Sequence, residues 1–172
     1  MNAQQLHQRT IPDGLSEERY ISGIAALNLP APEGTSGDWH FVSCFYTNQI
    51  NDVPEVFIAG RDGRVDTNSI YGNYGIYDCT EALKTRGIEY KGKRRPYAAN
   101  HFRAILDLLY DCIIDDVYPL YMQKAAEDFL DSDQEKNFLL AKAALMLPHL
   151  KANQQALLLQ WIEQEKVPGY RS

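Results

Sequence analysis

Hydrophobic spacing changes character near residue 84. Before it, apolar residues come in short groups broken by glycine and proline; beyond it they recur every three or four positions. Ser16 reads as a helix N-cap with Glu17 and Glu18 placed against the dipole, and Tyr20, Ile24 and Leu27 follow at helical spacing, so a helix is expected to about Asn28. Residues 29–37, LPAPEGTSG, hold two prolines and two glycines and read as a loop. From 39 to 46 the alternation puts Trp39, Phe41 and Phe45 on one face and Val42, Cys44 and Tyr46 on the other, as in a strand covered on both sides. A second strand over 55–60, a type I′ turn at Asp62-Gly63 and a third strand over 64–70 complete a three-stranded antiparallel meander.

The second half reads as helices. Asp78 and Glu81 form a capping-box-like start, and Gly87 sits where a left-handed C-cap is wanted. Pro96 opens the next helix. There Ala98, Phe102, Ile105, Leu109 and Cys112 make one apolar face, Leu106 and Ile113 widen it, and Arg103, Asp107 and Asp111 lie opposite, toward solvent, with Arg103 and Asp107 spaced to pair. A helix follows from Pro119 to about Leu130. Ser132 and Glu135 cap another, with Phe138, Leu139, Leu145 and Met146 inward, and Pro148 is expected to end or kink it near Leu147. The last, 149–166, turns Leu150, Leu157, Leu158, Trp161 and Ile162 to the core. Leu159 adds a second apolar edge, read evenly as a homodimer contact or as simple burial. The expectation is one α+β domain over 1–172: a tail (1–15), a helix with the small antiparallel meander (16–75), and a mainly helical C-terminal part (76–166).

Composition narrows the setting. The chain has 172 residues, 45% hydrophobic and 23% charged, and is long enough to bury a core without staples. No apolar run is long enough to span a bilayer and the N-terminus lacks a secretory apolar core, so no membrane association is expected. Three scattered cysteines, Cys44, Cys79 and Cys112, argue against a disulfide framework and for a cytoplasmic location.

Charge is distributed unevenly. Residues 84–103, KTRGIEYKGKRRPYAANHFR, carry Lys84, Arg86, Lys91, Lys93, Arg94, Arg95 and Arg103 against Glu89 alone, in a chain whose net charge is −6. Arginine forks suit phosphate or carboxylate, and the nearby Tyr90 and Tyr97 could stack a base. The loop YGNYGIYDC adds Tyr71, Tyr74 and Tyr77, read either as a binding loop or, more simply, as rings packing onto the helices. Arg95 and His101, with Asn100 beside the histidine, are spaced R-x5-H. That spacing resembles the R-x4-6-H motif of HEPN-type ribonucleases. The resemblance implies metal-independent phosphodiester cleavage, the histidine moving a proton and the arginine holding phosphate; it departs from the family at Pro96 and in the β-meander upstream.

Metal and cofactor chemistry find little footing. His40 and Cys44 on a strand would stand roughly 13 Å apart. The acidic run Asp107, Asp111, Asp115 and Asp116 reads as a solvated face rather than a Mg²⁺ site, and no glycine-rich phosphate loop is present. No cofactor and no metal are expected. The favoured function is a non-enzymatic binding protein, of accessory, antitoxin-like or regulatory kind. It would dock a protein partner through Lys91, Lys93, Arg94, Arg95, Tyr97 and Arg103, with nucleic-acid binding the alternative and an HEPN-like ribonuclease the least favoured.

Overall fold

The computed structural model describes residues 5–33 and 41–167. In chain order the elements are β1 (His7–Gln8), β2 (Arg19–Ile21), α1 (Gly23–Leu27), α2 (Phe41–Phe45), β3 (Tyr46–Thr47), β4 (Ile58–Gly60), α3 (Asn68–Tyr71), β5 (Ile76–Asp78), α4 (Thr80–Thr85), β6 (Tyr97–Ala99), α5 (His101–Ile114), α6 (Ala125–Phe129), α7 (Asp133–Ala144) and α8 (Ala152–Lys166). The architecture is α+β. A mixed four-stranded sheet, ordered β4-β2-β6-β5, replaces the expected meander, and β1 and β3 form a separate antiparallel pair. β2 runs antiparallel to β4 and parallel to β6, and β6 runs antiparallel to β5.

The sheet sorts the core by its two-residue period. Tyr20, Ala59 and Ala99 face α5 and the C-terminal helices, in one cluster with Ile105, Leu109, Leu139, Leu158 and Trp161. Their neighbours Ile21, Ile58 and Ala98 face the other way, onto Leu15, Phe45, Cys79, Leu83 and Ile88. Both faces of the sheet are therefore covered.

Several expectations change. The helix expected from Ser16 is strand β2 and then α1, because Gly23 adopts φ +58, a left-handed conformation that breaks any continuous helix there. The strand expected over 39–46 is helix α2 followed by β3; Trp39 and His40 lie outside the described residues. Phe41 and Phe45 satisfy both periods, since four residues are two strand repeats and about one helical turn, and their rings meet at 5.3 Å. The third strand over 64–70 is absent. Asp62 takes φ +57 and the chain turns back with Gly60 N bonded to Val65 O, burying Val65 and leading into α3. The tail at 1–15 is in part structural: β1 pairs with β3, and Leu15 is buried.

The C-terminal part follows its caps more closely. Gly87 adopts φ +68 after α4. Ser132 Oγ accepts from Glu135 N at 3.2 Å, and Glu135 Oε2 accepts from Asp131 N at 2.7 Å. The helix ends at Ala144, and Pro148 sits in a 3₁₀ turn, Leu147–His149. Leu139 and Met146 are buried as expected, whereas Phe138 and Leu145 are exposed, as is Leu159. The helix expected from Pro119 is a 3₁₀ turn at Leu120–Met122 followed by the short α6. Among the described residues, no helix is long and apolar enough to cross a membrane.

Candidate functional site

The basic connector between α4 and β6 lacks regular structure, yet its backbone is fixed. Gln8 reaches across from β1 and bonds Glu89 twice, donating from Nε2 to the carbonyl at 2.7 Å and accepting from the amide at 2.8 Å. Asp13 accepts from Lys93 N at 3.1 Å and Arg94 N at 3.3 Å. These amide bonds, with that of Gly14, hold the Asp13 carboxyl below its usual range. The Tyr90 hydroxyl closes the loop on Arg94 O at 2.7 Å. Its ring lies so close over Gly92 that a Cβ there would stand 2.0 Å from the hydroxyl oxygen. A side chain at position 92 would therefore displace the Tyr90 ring.

On this frame the cations point outward. Lys91 and Arg95 are 82% and 80% exposed, and their ion pairs with Glu89 at 3.8 Å and Asp78 at 3.5 Å are long. Such surface pairs contribute about 0–1 kcal/mol and yield readily to a partner. Lys93 and Arg94 are exposed, and among the described residues neither side chain has an ion-pair partner. The flanking cations are committed nearby: Lys84 pairs with Glu81 at 3.6 Å, and Arg86 lies over the Phe41 ring at 5.8 Å.

Arg103 does not belong to this surface. Expected to face solvent, it is fully buried, as is its partner Asp107. Helix α5 is covered on all sides over residues 101–109, so its polar stripe needs internal partners. Arg103 Nη1 donates to Gly72 O at 2.9 Å and Tyr74 O at 2.8 Å, Nη2 to Asn68 Oδ1 at 3.0 Å, and Nε to Thr67 Oγ1 at 3.1 Å. Asp107 accepts from Thr67 at 2.5 Å, Ser22 at 2.7 Å and Tyr20 at 3.0 Å. Burial pushes its carboxyl up, and Arg103 with the three hydroxyls pulls it back. Four donors, Arg103 Nε and the hydroxyls of Tyr20, Ser22 and Thr67, converge on its two oxygens. This node ties β2, α3, the tyrosine loop and α5 together. Asp111, also expected on a wet face, is half-buried and bonded to Arg64 at 3.2 Å.

The tyrosines are packed to different degrees, Tyr71 buried and Tyr74 and Tyr77 partly so. Tyr71 is buried and donates to Lys142 O at 2.7 Å. Tyr74 packs near Phe138, with the Lys142 ammonium 4.3 Å from its ring centre. Tyr77 donates to Pro30 O at 3.3 Å. Tyr97 lies in β6 and packs against the core rather than on the connector surface.

Arg95 and His101 fall at opposite ends of β6. Six residues of extended chain set them up to about 20 Å apart, where a helix from Pro96 would have drawn them together. Arg95 turns to Asp78, while His101 is buried with Nε2 2.9 Å from Leu29 O, and burial lowers its pKa. The cysteines are free thiols, pushed by burial up to about 11 at Cys44 and about 12 at Cys79. A cleft of about 520 Å³ beside β4 is lined by Arg9, Arg19 and Arg64 together with Glu55 and Asp62. Its guanidinium groups already bond Ser43 O, Arg61 O and Asp111. Among the described residues, no three His, Cys, Asp or Glu side chains gather as a metal site.

Sequence reasoning found the cations and missed what holds them. Gln8 and Asp13 sit in a polar segment with no periodicity, and only pairing across some 80 positions gives them a role. Compared with family models, curated proteins and solved structures, the chain matches none.

Proposed function

We propose that this protein is a non-enzymatic docking subunit, of accessory, antitoxin-like or regulatory kind, whose connector at 88–95 engages an acidic protein surface. One observation carries the reading: Lys91, Lys93, Arg94 and Arg95 project from a backbone pinned by Gln8, Asp13 and Tyr90. A pinned loop gives up little conformational freedom on binding, so more of its charge attraction is kept as affinity. A protein partner is favoured over nucleic acid because four cations stand on a chain whose net charge is still −6 and whose pI is near 5.2. Such a chain repels an extended polyanion and tolerates a compact acidic patch.

Fluorescence anisotropy with a labelled Asp/Glu-rich peptide and a labelled oligonucleotide, each across a salt series, separates the two. The proposal expects binding to the peptide that is lost in the Lys93→Ala/Arg94→Ala variant. Stronger binding to the oligonucleotide, with log K falling against log salt at a slope of roughly −3 to −4, the value for about four phosphate contacts, would overturn it in favour of nucleic acid.

A further inference from the structure

At the far end of the molecule, α8 contributes a carboxylate with no evident use. Glu165 is 1% exposed, yet among the described residues neither of its side-chain oxygens accepts a hydrogen bond. It lines a pocket of about 330 Å³ with Trp161, Gln164, Gln123, Lys124 and Val167. The nearest cation is turned aside: Lys124 Nζ donates to Gln164 O at 3.1 Å and Val167 O at 2.6 Å. Lys136 is paired with Glu127 at 3.2 Å. Trp161, itself fully buried, spends its N–H on Met122 O at 3.0 Å, so it offers the pocket no donor. Lys124 holds φ +62, a left-handed conformation uncommon for a residue with a side chain.

A buried carboxylate whose nearby amides, those of Lys124 and Ala125, make no well-formed hydrogen bond to it is costly, and charged groups in such positions are normally matched by hydrogen bonds or an opposite charge. What the pocket lacks is a planar cation with paired N–H donors. We propose that it binds a guanidinium group, the fork meeting both Glu165 oxygens. Bidentate pairing satisfies two acceptors at once, a planar fork geometry that a compact ammonium does not match. The group comes either from a free small molecule or from an arginine side chain of a partner. The pocket is independent of the basic connector, and its occupant has the opposite charge to that of the connector's partner.

Protonation provides an internal control. Burial raises the Glu165 carboxyl to about 7, the amides of Lys124 and Ala125 and the charges of Lys124 and Lys136 pulling it part of the way back, with Tyr118 also facing it. A guanidinium requires the ionised form, so affinity falls about tenfold per pH unit below that value.

The experiment is isothermal titration of the full chain at pH 8 and pH 5. The probes are methylguanidine, L-arginine and a terminally blocked Gly-Arg-Gly peptide, with methylamine and L-lysine as ammonium counterparts. The expected result is saturable binding of a guanidinium probe at pH 8, at least tenfold weaker at pH 5 and at least tenfold weaker in Glu165→Gln, whose fold is verified by circular dichroism. Binding of methylguanidine or arginine identifies a small-molecule site, and binding of the peptide alone identifies a partner's arginine. No binding by any guanidinium probe overturns the proposal. So does equal binding by Glu165→Gln, equal affinity for the ammonium probes, or wild-type binding unchanged at pH 5.

Discussion

Replacing Arg103 by methionine tests whether the buried node, rather than the apolar core alone, holds the two halves of the fold together. Methionine keeps much of the side-chain volume and removes the guanidinium. Asp107 then stays buried with only the hydroxyls of Tyr20, Ser22 and Thr67, and the carbonyls of Gly72 and Tyr74 lose their donor. Breaking one side of a buried pair costs about 3–5 kcal/mol, and orphaned carbonyls add to this unless water reaches them. Against a total stability of about 5–15 kcal/mol this is a large fraction, and at this chain length it lowers Tm by about 6–20 °C. Urea unfolding followed by circular dichroism gives the number directly. Asp107→Asn on the Arg103→Met background removes the stranded carboxyl, so the double variant should recover part of the loss, a positive coupling in the mutant cycle. A loss below about 1 kcal/mol for Arg103→Met, or strictly additive losses in the cycle, would refute the reasoning.

Other outcomes follow from the same geometry. Gly92→Ala keeps every charge but drives Tyr90 off the connector; amide exchange at Lys93 and Arg94 should accelerate while the global midpoint stays put, and affinity for an acidic peptide should fall. His101 has its pKa lowered in the fold, so the unfolded chain takes up a proton that the native state refuses. Its contribution therefore erodes as pH falls below about 6.5, by at most about 1.4 kcal/mol per unit, and His101→Gln should flatten that part of the urea-midpoint profile between pH 7 and 5. Glu165 has the opposite sign: its raised pKa means the native state keeps a proton that the unfolded chain releases between about 4.5 and 7, so stability falls as pH rises through that window. Glu165→Gln should gain roughly 2 kcal/mol at pH 8, allowing for solvent reaching the carboxylate, and nothing at pH 4; an equal effect at both would contradict the account.

The parts of this fold written in local signals were legible in the sequence. Ser132 with Glu135 and Gly87 after α4 depend on a few neighbouring residues and lie where they were expected, whereas α7 stops at Ala144, ahead of the end expected near Leu147. The sheet was not legible, because its strands are three residues long and its partners are distant: Ile21 pairs with Ala98, and Arg19 with Gly60. Three residues carry too little alternation to outvote the spacing of Tyr20, Ile24 and Leu27, which mimics a helix across the Gly23 break. For the candidate site, charge density located the connector but gave wrong weight to Arg103. On a helical wheel a polar stripe implies water; here Thr67, Ser22, Tyr20 and the tyrosine-loop carbonyls take the place of water, and each comes from a different part of the chain. Arg95 and His101 were drawn together by an expected helix and are separated by strand β6.

The central claim, that a pinned basic connector docks an acidic protein, is tested most directly by a paired native pull-down. Tagged wild type and the Lys93→Glu/Arg94→Glu variant are recovered in low salt, each with and without nuclease, and the eluates are compared by mass spectrometry. The account predicts a stoichiometric acidic protein that survives nuclease with wild type and is missing from the variant. Equal recovery from both proteins, or a partner that vanishes on nuclease treatment, would contradict it.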